Sequence, residues 1–274
     1  MSKRKIGTCL LSGCIGPLVD CHIIPKALTS PQPKGEPLFQ TTKGKGLKKR
    51  FSSWYDKSIV TREGEDILAR IDNDAIKALR KHQLIWKSWV IFCPVFENFG
   101  PSTPDHSFRL VQLKEQAILA RFFASIAWRA SVSKIPDMDG IALGTQIESE
   151  LRDIILNGTD TTAQKYRVSL IQISSIGERH NMTPILDSKA KNLDDPEGEK
   201  IEFVRIYFDG LIAHLNLSAL ENQEQSSETS NFLEAGKNLL IPAIQYQATK
   251  HFENLLFTAA EVAGPISWAR EEAT

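Results

Sequence analysis

Apolar residues recur at helical spacing in some stretches and alternate in others, and their order along the chain predicts a mixed α+β protein. Leu68, Ile71, Ala75 and Leu79 form one stripe of a helix over residues 65–82. Glu65 and Asp66 in its first turn and Arg80 and Lys81 in its last suit the helix dipole. A short β-prone run at 57–60 precedes it, joined through Thr61-Arg-Glu-Gly64. The apolar run at 84–93 predicts a buried strand, with Cys93 as a small core residue. Residues 108–133 carry Ile118, Leu119, Phe122, Phe123, Ile126 and Trp128, which predicts a long helix at the centre of a core. Arg129 beside them is expected to be a structural ion-pair partner.

Further along, residues 136–140 predict a turn. Leu143, Ile147, Leu151 and Ile155 predict an amphipathic helix that stops at Asn157-Gly158. Residues 166–173 alternate as a half-buried strand. Asp209-Gly210, between apolar runs at 201–208 and 211–217, is the strongest hairpin signal, because the turn needs positive φ angles. A polar loop is expected at 221–230 and a last strand at 239–247, placed at a sheet edge by Pro242. A closing helix is expected over 250–262. No internal repeat, coiled-coil heptad or phosphate-binding glycine loop is present.

With 274 residues the chain can bury a proper core. The patterns divide it into a small finger with a basic loop at 1–82 and an α+β region at 83–274. No apolar run is long enough to cross a bilayer and no signal-peptide pattern follows the first lysines, so the expectation is cytoplasmic, with no membrane partner. The formal net charge of zero hides an asymmetry: residues 1–50 hold ten Lys or Arg against Asp20 and Glu36. Much of this lies at 29–50, whose prolines and glycines predict a loop. Lys43, Lys45, Lys48, Lys49 and Arg50 could track a phosphate backbone, or simply keep a linker solvated.

The sharpest chemistry lies at 9–28. Cys9-Leu-Leu-Ser12-Gly13 has the spacing of a zinc knuckle with serine at the second ligand position. The strand, turn and helix at 57–82 resemble the second half of a treble-clef or ββα finger, a resemblance that would put the second pair of cysteines at Thr61 and Gly64. One of four thiolate ligands remains, so no metal ligand set is assigned. A rearranged set of Cys9, Cys14, Cys21 and His22 is the alternative, though it would draw every ligand from one strand pair. His22 is followed by Ile-Ile-Pro25. It is a candidate general base, or else a structural residue whose imidazole bonds across the finger.

His22-Ile-Ile-Pro-Lys, Trp54-Tyr55-Asp56, Trp128-Arg129-Ala-Ser and Leu151-Arg-Asp-Ile-Ile-Leu-Asn-Gly158 resemble a group of bacterial HNH endonuclease-like proteins over residues 5–215. The resemblance implies a treble-clef or ββα finger, followed by a mixed helix and antiparallel-sheet region. It also implies phosphodiester cleavage with His22 as general base and a bound Mg or Mn, in restriction, phage defence or mobile elements. Cys21 and the helix at 65–82, which has no histidine before His82, depart from that pattern. The expectation is a catalytically degenerate, metal-free protein that associates with DNA, RNA or a protein partner. An active divergent nuclease and a purely structural subunit are the competing readings.

Overall fold

Tight turns and strand pairing set up the amino-terminal part. The computed structural model describes residues 5–30, 38–42, 45–50, 53–89, 106–158, 166–178, 180–192, 194–217, 228–250 and 252–253. β1 (Ile6–Thr8) pairs antiparallel with β2 (Ile15–His22), across a turn in which Gly13 takes φ +78°. β2 pairs on its other side with β5 (Tyr55–Thr61), which runs directly into α2 (Arg62–Lys81). The strand-to-helix unit expected here is formed. Between the two strands, Pro25 leads into the single-turn helix α1 (Lys26–Thr29).

Within residues 29–50, the described stretches 38–42 and 45–50 are strand where a loop was expected. They contain β3 (Leu38–Thr42) and β4 (Lys45–Arg50), paired antiparallel, and β3 pairs in parallel with β8 (His180–Met182). Leu-Phe-Gln-Thr-Thr is β-prone, and its partner strand comes from far along the chain, which local composition cannot reveal. The described part of 84–93 also differs from expectation: Trp86–Ser88 is a 3-10 turn, not strand. The Trp86 N–H donates to Asp209 O at 2.9 Å and its indole N–H to Ile173 O at 3.1 Å. Those two anchors on distant strands override the β preference of the apolar run. Cys93 lies outside the described residues.

The helix expected from residue 108 begins later. β6 (His106–Val111) comes first, and α3 (Gln116–Val132) follows. Phe108, Leu110 and Val111 favour strand, and the whole run from Ser107 to Val111 pairs antiparallel with β13 (Asn238–Ile244). α4 (Thr145–Asn157) ends at Gly158 with φ +93°, as its sequence predicts.

The large sheet adds β7 (Val168–Ile173), β9 (Ile185–Asn192), β10 (Asp195–Phe208), β11 (Leu211–Asn216) and β12 (Thr229–Ser230), in the order β12-β13-β7-β11-β10-β9. β10 and β11 form the expected hairpin, with Asp209 at φ +46° and Gly210 at φ +79°. β13 is not at an edge. β6 covers one flank, while β12 and β7 pair with its two ends on the other, at 238–239 and 243–244. Pro242 falls between those two short registers, and this is how an interior strand accommodates a residue without an N–H. Of the polar loop expected at 221–230, residues 218–227 lie outside the described set; of the closing helix, residues 250, 252 and 253 are described and helical.

One hydrophobic core links these parts. It runs from Cys9, Leu11 and Ile23 through Leu68 and Leu79 of α2 and Phe122 of α3 to Val204, Ile206 and Phe208 of β10. A smaller cluster on the other face of the sheet gathers Trp86, Ile173, Tyr207, Ile212 and Tyr246. α3 is apolar all round because it lies between the finger and the sheet. The fold is α+β, with four helices and mixed sheets among the described residues. None of these helices is long and apolar enough to cross a membrane.

Candidate functional site

The two knuckle-like turns meet at one point. Cys9 is fully buried, and its sulfur accepts the Ser12 N–H at 3.4 Å. A Cβ added to Gly64 would lie 2.6 Å from the same sulfur, so a side chain at 64 and the Cys9 thiol compete for one space. Thr61 stands at the N-cap position of α2, where its side chain makes no capping hydrogen bond. Burial pushes the Cys9 thiol up, but the polar groups of Ser12 and Thr61 around the sulfur outweigh it, and the net pKa is lowered.

Positions 9, 12, 61 and 64 therefore converge as the spacing and the resemblance suggested. The donors do not fit zinc: one thiol faces two hydroxyls and a glycine whose space the sulfur already fills. The alternative set is not gathered either. Cys14 is exposed while Cys9 and Cys21 are buried, and no three His, Cys, Asp or Glu side chains converge as metal ligands among the described residues.

Behind the finger, a second group of side chains collects under His22. Arg129 of α3 is 1% exposed. Its guanidinium donates to both carboxylate oxygens of Asp72 on α2, at 2.8 and 3.0 Å, to the His22 carbonyl at 2.9 Å and to Ser125 Oγ at 3.0 Å. With its Nε donating to Ser125 O at 3.2 Å, five acceptors surround one buried guanidinium and make a satisfied ion pair, the structural role expected of this residue.

Cys21 and Glu65 share the neighbourhood of this cation. Burial raises the Cys21 thiol well above its ordinary range, against the pull of Arg129. Glu65 is also pushed up by burial, against its bond with Cys21 and the Arg129 charge. A buried thiol held in its neutral form is a poor ligand for a divalent ion, and the local positive charge is already supplied by Arg129.

His22 ends β2, opposite Tyr55 of β5. Its ring is half-buried, 6.1 Å from the Tyr55 ring, and makes no hydrogen bond among the described residues. The structural role imagined for the imidazole is thus carried by its backbone: the carbonyl is held by Arg129, and the neighbouring Ile23 N–H donates to Trp54 O at 3.0 Å. Burial, then Lys26 and Arg129, lower the His22 pKa, so the imidazole is neutral at pH 7.

The basic residues stand apart from His22. Lys45, Lys48, Lys49 and Arg50 lie on β4, the outer strand of the β4-β3-β8 sheet, whereas His22 belongs to β1-β2-β5. Lys43 lies outside the described residues. A lysine-rich outer strand can meet phosphate, and it also repels edge-to-edge pairing with another chain.

Asp56 escaped the sequence reading. It is 3% exposed and accepts four hydrogen bonds, from the Ser58 N–H and hydroxyl at 2.8 and 2.6 Å and from the Ser133 hydroxyl and Lys134 N–H, both at 2.8 Å. Burial pushes its carboxyl up, and these bonds more than reverse that, leaving the pKa low. Asp56 fastens β5 to the end of α3.

Compared with known proteins, the chain matches no family model, no curated protein and no solved structure.

Proposed function

We propose that this protein is a catalytically degenerate, metal-free HNH-like protein that acts through binding, as a nucleic-acid-associated or partner-binding component of a bacterial defence or mobile-element system. The observation that carries this reading is the convergence of Cys9, Ser12, Thr61 and Gly64, two knuckle-spaced turns meeting with one thiolate ligand between them. Arg129 strengthens it, because a guanidinium supplies the cation among Cys21, Glu65 and Asp72. Cystine formation contributes nothing at this point, since Cys9, Cys14 and Cys21 are free.

Nucleic acid is the partner to test first, through the basic strand. Affinity for duplex DNA and for single-stranded RNA should fall steeply between low and physiological salt. Changing Lys45, Lys48, Lys49 and Arg50 to Ala should weaken binding by about tenfold or more and flatten the salt slope. Fluorescence anisotropy across a salt series measures both. Binding that is absent or independent of salt would remove nucleic acid and leave the structural-subunit reading.

One observation favours an active nuclease as the second reading: His22 is neutral at pH 7 and its ring makes no hydrogen bond among the described residues. A base acts in its unprotonated form. Cleavage would then rise with pH through a midpoint below the ordinary histidine value. The measurement is Mg- or Mn-dependent cleavage of plasmid DNA and of RNA, in the parent and in His22→Ala. Activity that persists in the variant would exclude His22 as the base.

A further inference from the structure

Three helices enclose a cleft that shares no residue with the His22 region. It occupies about 410 Å³ between α2, α3 and α4, within the range of small-molecule sites. Ile67 and Ile71 of α2 line it, with Ile118 of α3 and Leu156 of α4. Ile118 is 39% exposed, the one exposed large apolar side chain on a helix among the described residues. Such a side chain beside a concavity gains from being covered.

Two guanidiniums face the same space. Arg121 is anchored: its Nε donates to Ile155 O at 2.9 Å and its Nη2 to Ile155 O and Leu156 O, so it is held against the last carbonyls of α4. Arg70 is exposed, donates only to Asp66 O of its own helix at 3.3 Å, and pairs with no carboxylate among the described residues. The carboxylate in the cleft, Asp74, is engaged by Lys77 at 3.3 Å. Burial and then the neighbouring Arg70 charge lower the Arg121 pKa, as expected of like charges held close.

We propose that this cleft binds a small amphipathic acid, its anionic head shared by Arg70 and Arg121 and its short hydrocarbon body lying against Ile67, Ile71, Ile118 and Leu156. Either a carboxylate or a phosphate monoester suits the head, because the planar guanidinium matches both in paired hydrogen bonds. A shared anion offsets the repulsion between the two cations, and the apolar walls reward a tail that inorganic anions lack. This reading does not depend on the nucleic-acid role.

Isothermal titration of the full chain with octanoate and with octyl phosphate tests it, with n-octanol and inorganic phosphate as controls. One saturable site is expected for at least one of the two acids, and the tighter of them assigns the head group. Arg70→Ala and Ile118→Asp should each weaken that binding by about tenfold or more. Both positions are exposed, so folding should survive, and far-UV circular dichroism checks it. Absence of saturable binding, affinity unchanged in either variant, or either control binding as tightly as the acids overturns the proposal.

Discussion

Arg129→Ala should destabilise the protein by about 3–5 kcal/mol in urea unfolding, because it removes one partner of a buried ion pair and leaves the other uncompensated. Asp72 would keep its charge in a half-buried site without the guanidinium that now spans both its oxygens, and the His22 carbonyl would lose its 2.9 Å donor. Arg129→Met separates charge from packing. It refills much of the volume while still stranding Asp72, so it should cost nearly as much. The pair Arg129→Met with Asp72→Leu should recover most of the loss, since a buried ion pair replaced by apolar groups is often close to neutral. Additive costs in this double-mutant cycle would mean that the two side chains do not act as a unit.

Phe123→Ala should cost about 3–5 kcal/mol through the cavity it leaves. Phe123 is fully buried, stacked on Phe208 of the sheet with centroids 6.1 Å apart and edge-on to Phe122 at 5.2 Å. The larger consequence is cooperative. One core runs from Cys9 in the finger to Phe208 in the sheet, so the finger should unfold together with the sheet. Unfolding followed by Trp fluorescence and by far-UV circular dichroism should give coincident transitions in the parent and in the variant. Two separated transitions would show that the finger is stable apart from the sheet.

The elements visible in the sequence are those whose cause is local. α2 and α4 follow from their apolar stripes, and Asp209-Gly210 specifies its own turn through two positive φ angles. The elements that differ from expectation depend on distant partners. Lys45–Arg50 becomes a strand within a sheet that β8 completes, Trp86–Ser88 is shaped by bonds to Asp209 and Ile173, and the run at 106–111 becomes a strand on β13. Pro242 marked a strand that must avoid a ladder bond, but two short registers on one flank met that need without placing β13 at an edge.

The candidate site divides in the same way. Spacing selected Cys9 and Ser12, because a knuckle is a local motif, and the resemblance to a treble-clef finger selected Thr61 and Gly64. Spacing could not show that the Cys9 sulfur fills the space beside Gly64. Nor could it show Arg129 reaching back 57 residues to Asp72 and 107 residues to the His22 carbonyl. Those contacts, packing and a buried guanidinium, join the residues around His22 to α3.

Zinc content tests the proposed metal-free reading directly. Protein purified without chelator, and again after growth with added zinc, should carry no stoichiometric zinc by inductively coupled plasma mass spectrometry, and its melting temperature should not move on treatment with EDTA. A structural zinc would make folding depend on the metal. One zinc per chain, with stability lost to the chelator, would contradict the account, because Cys9 would then be a metal ligand rather than a buried thiol packed against Gly64.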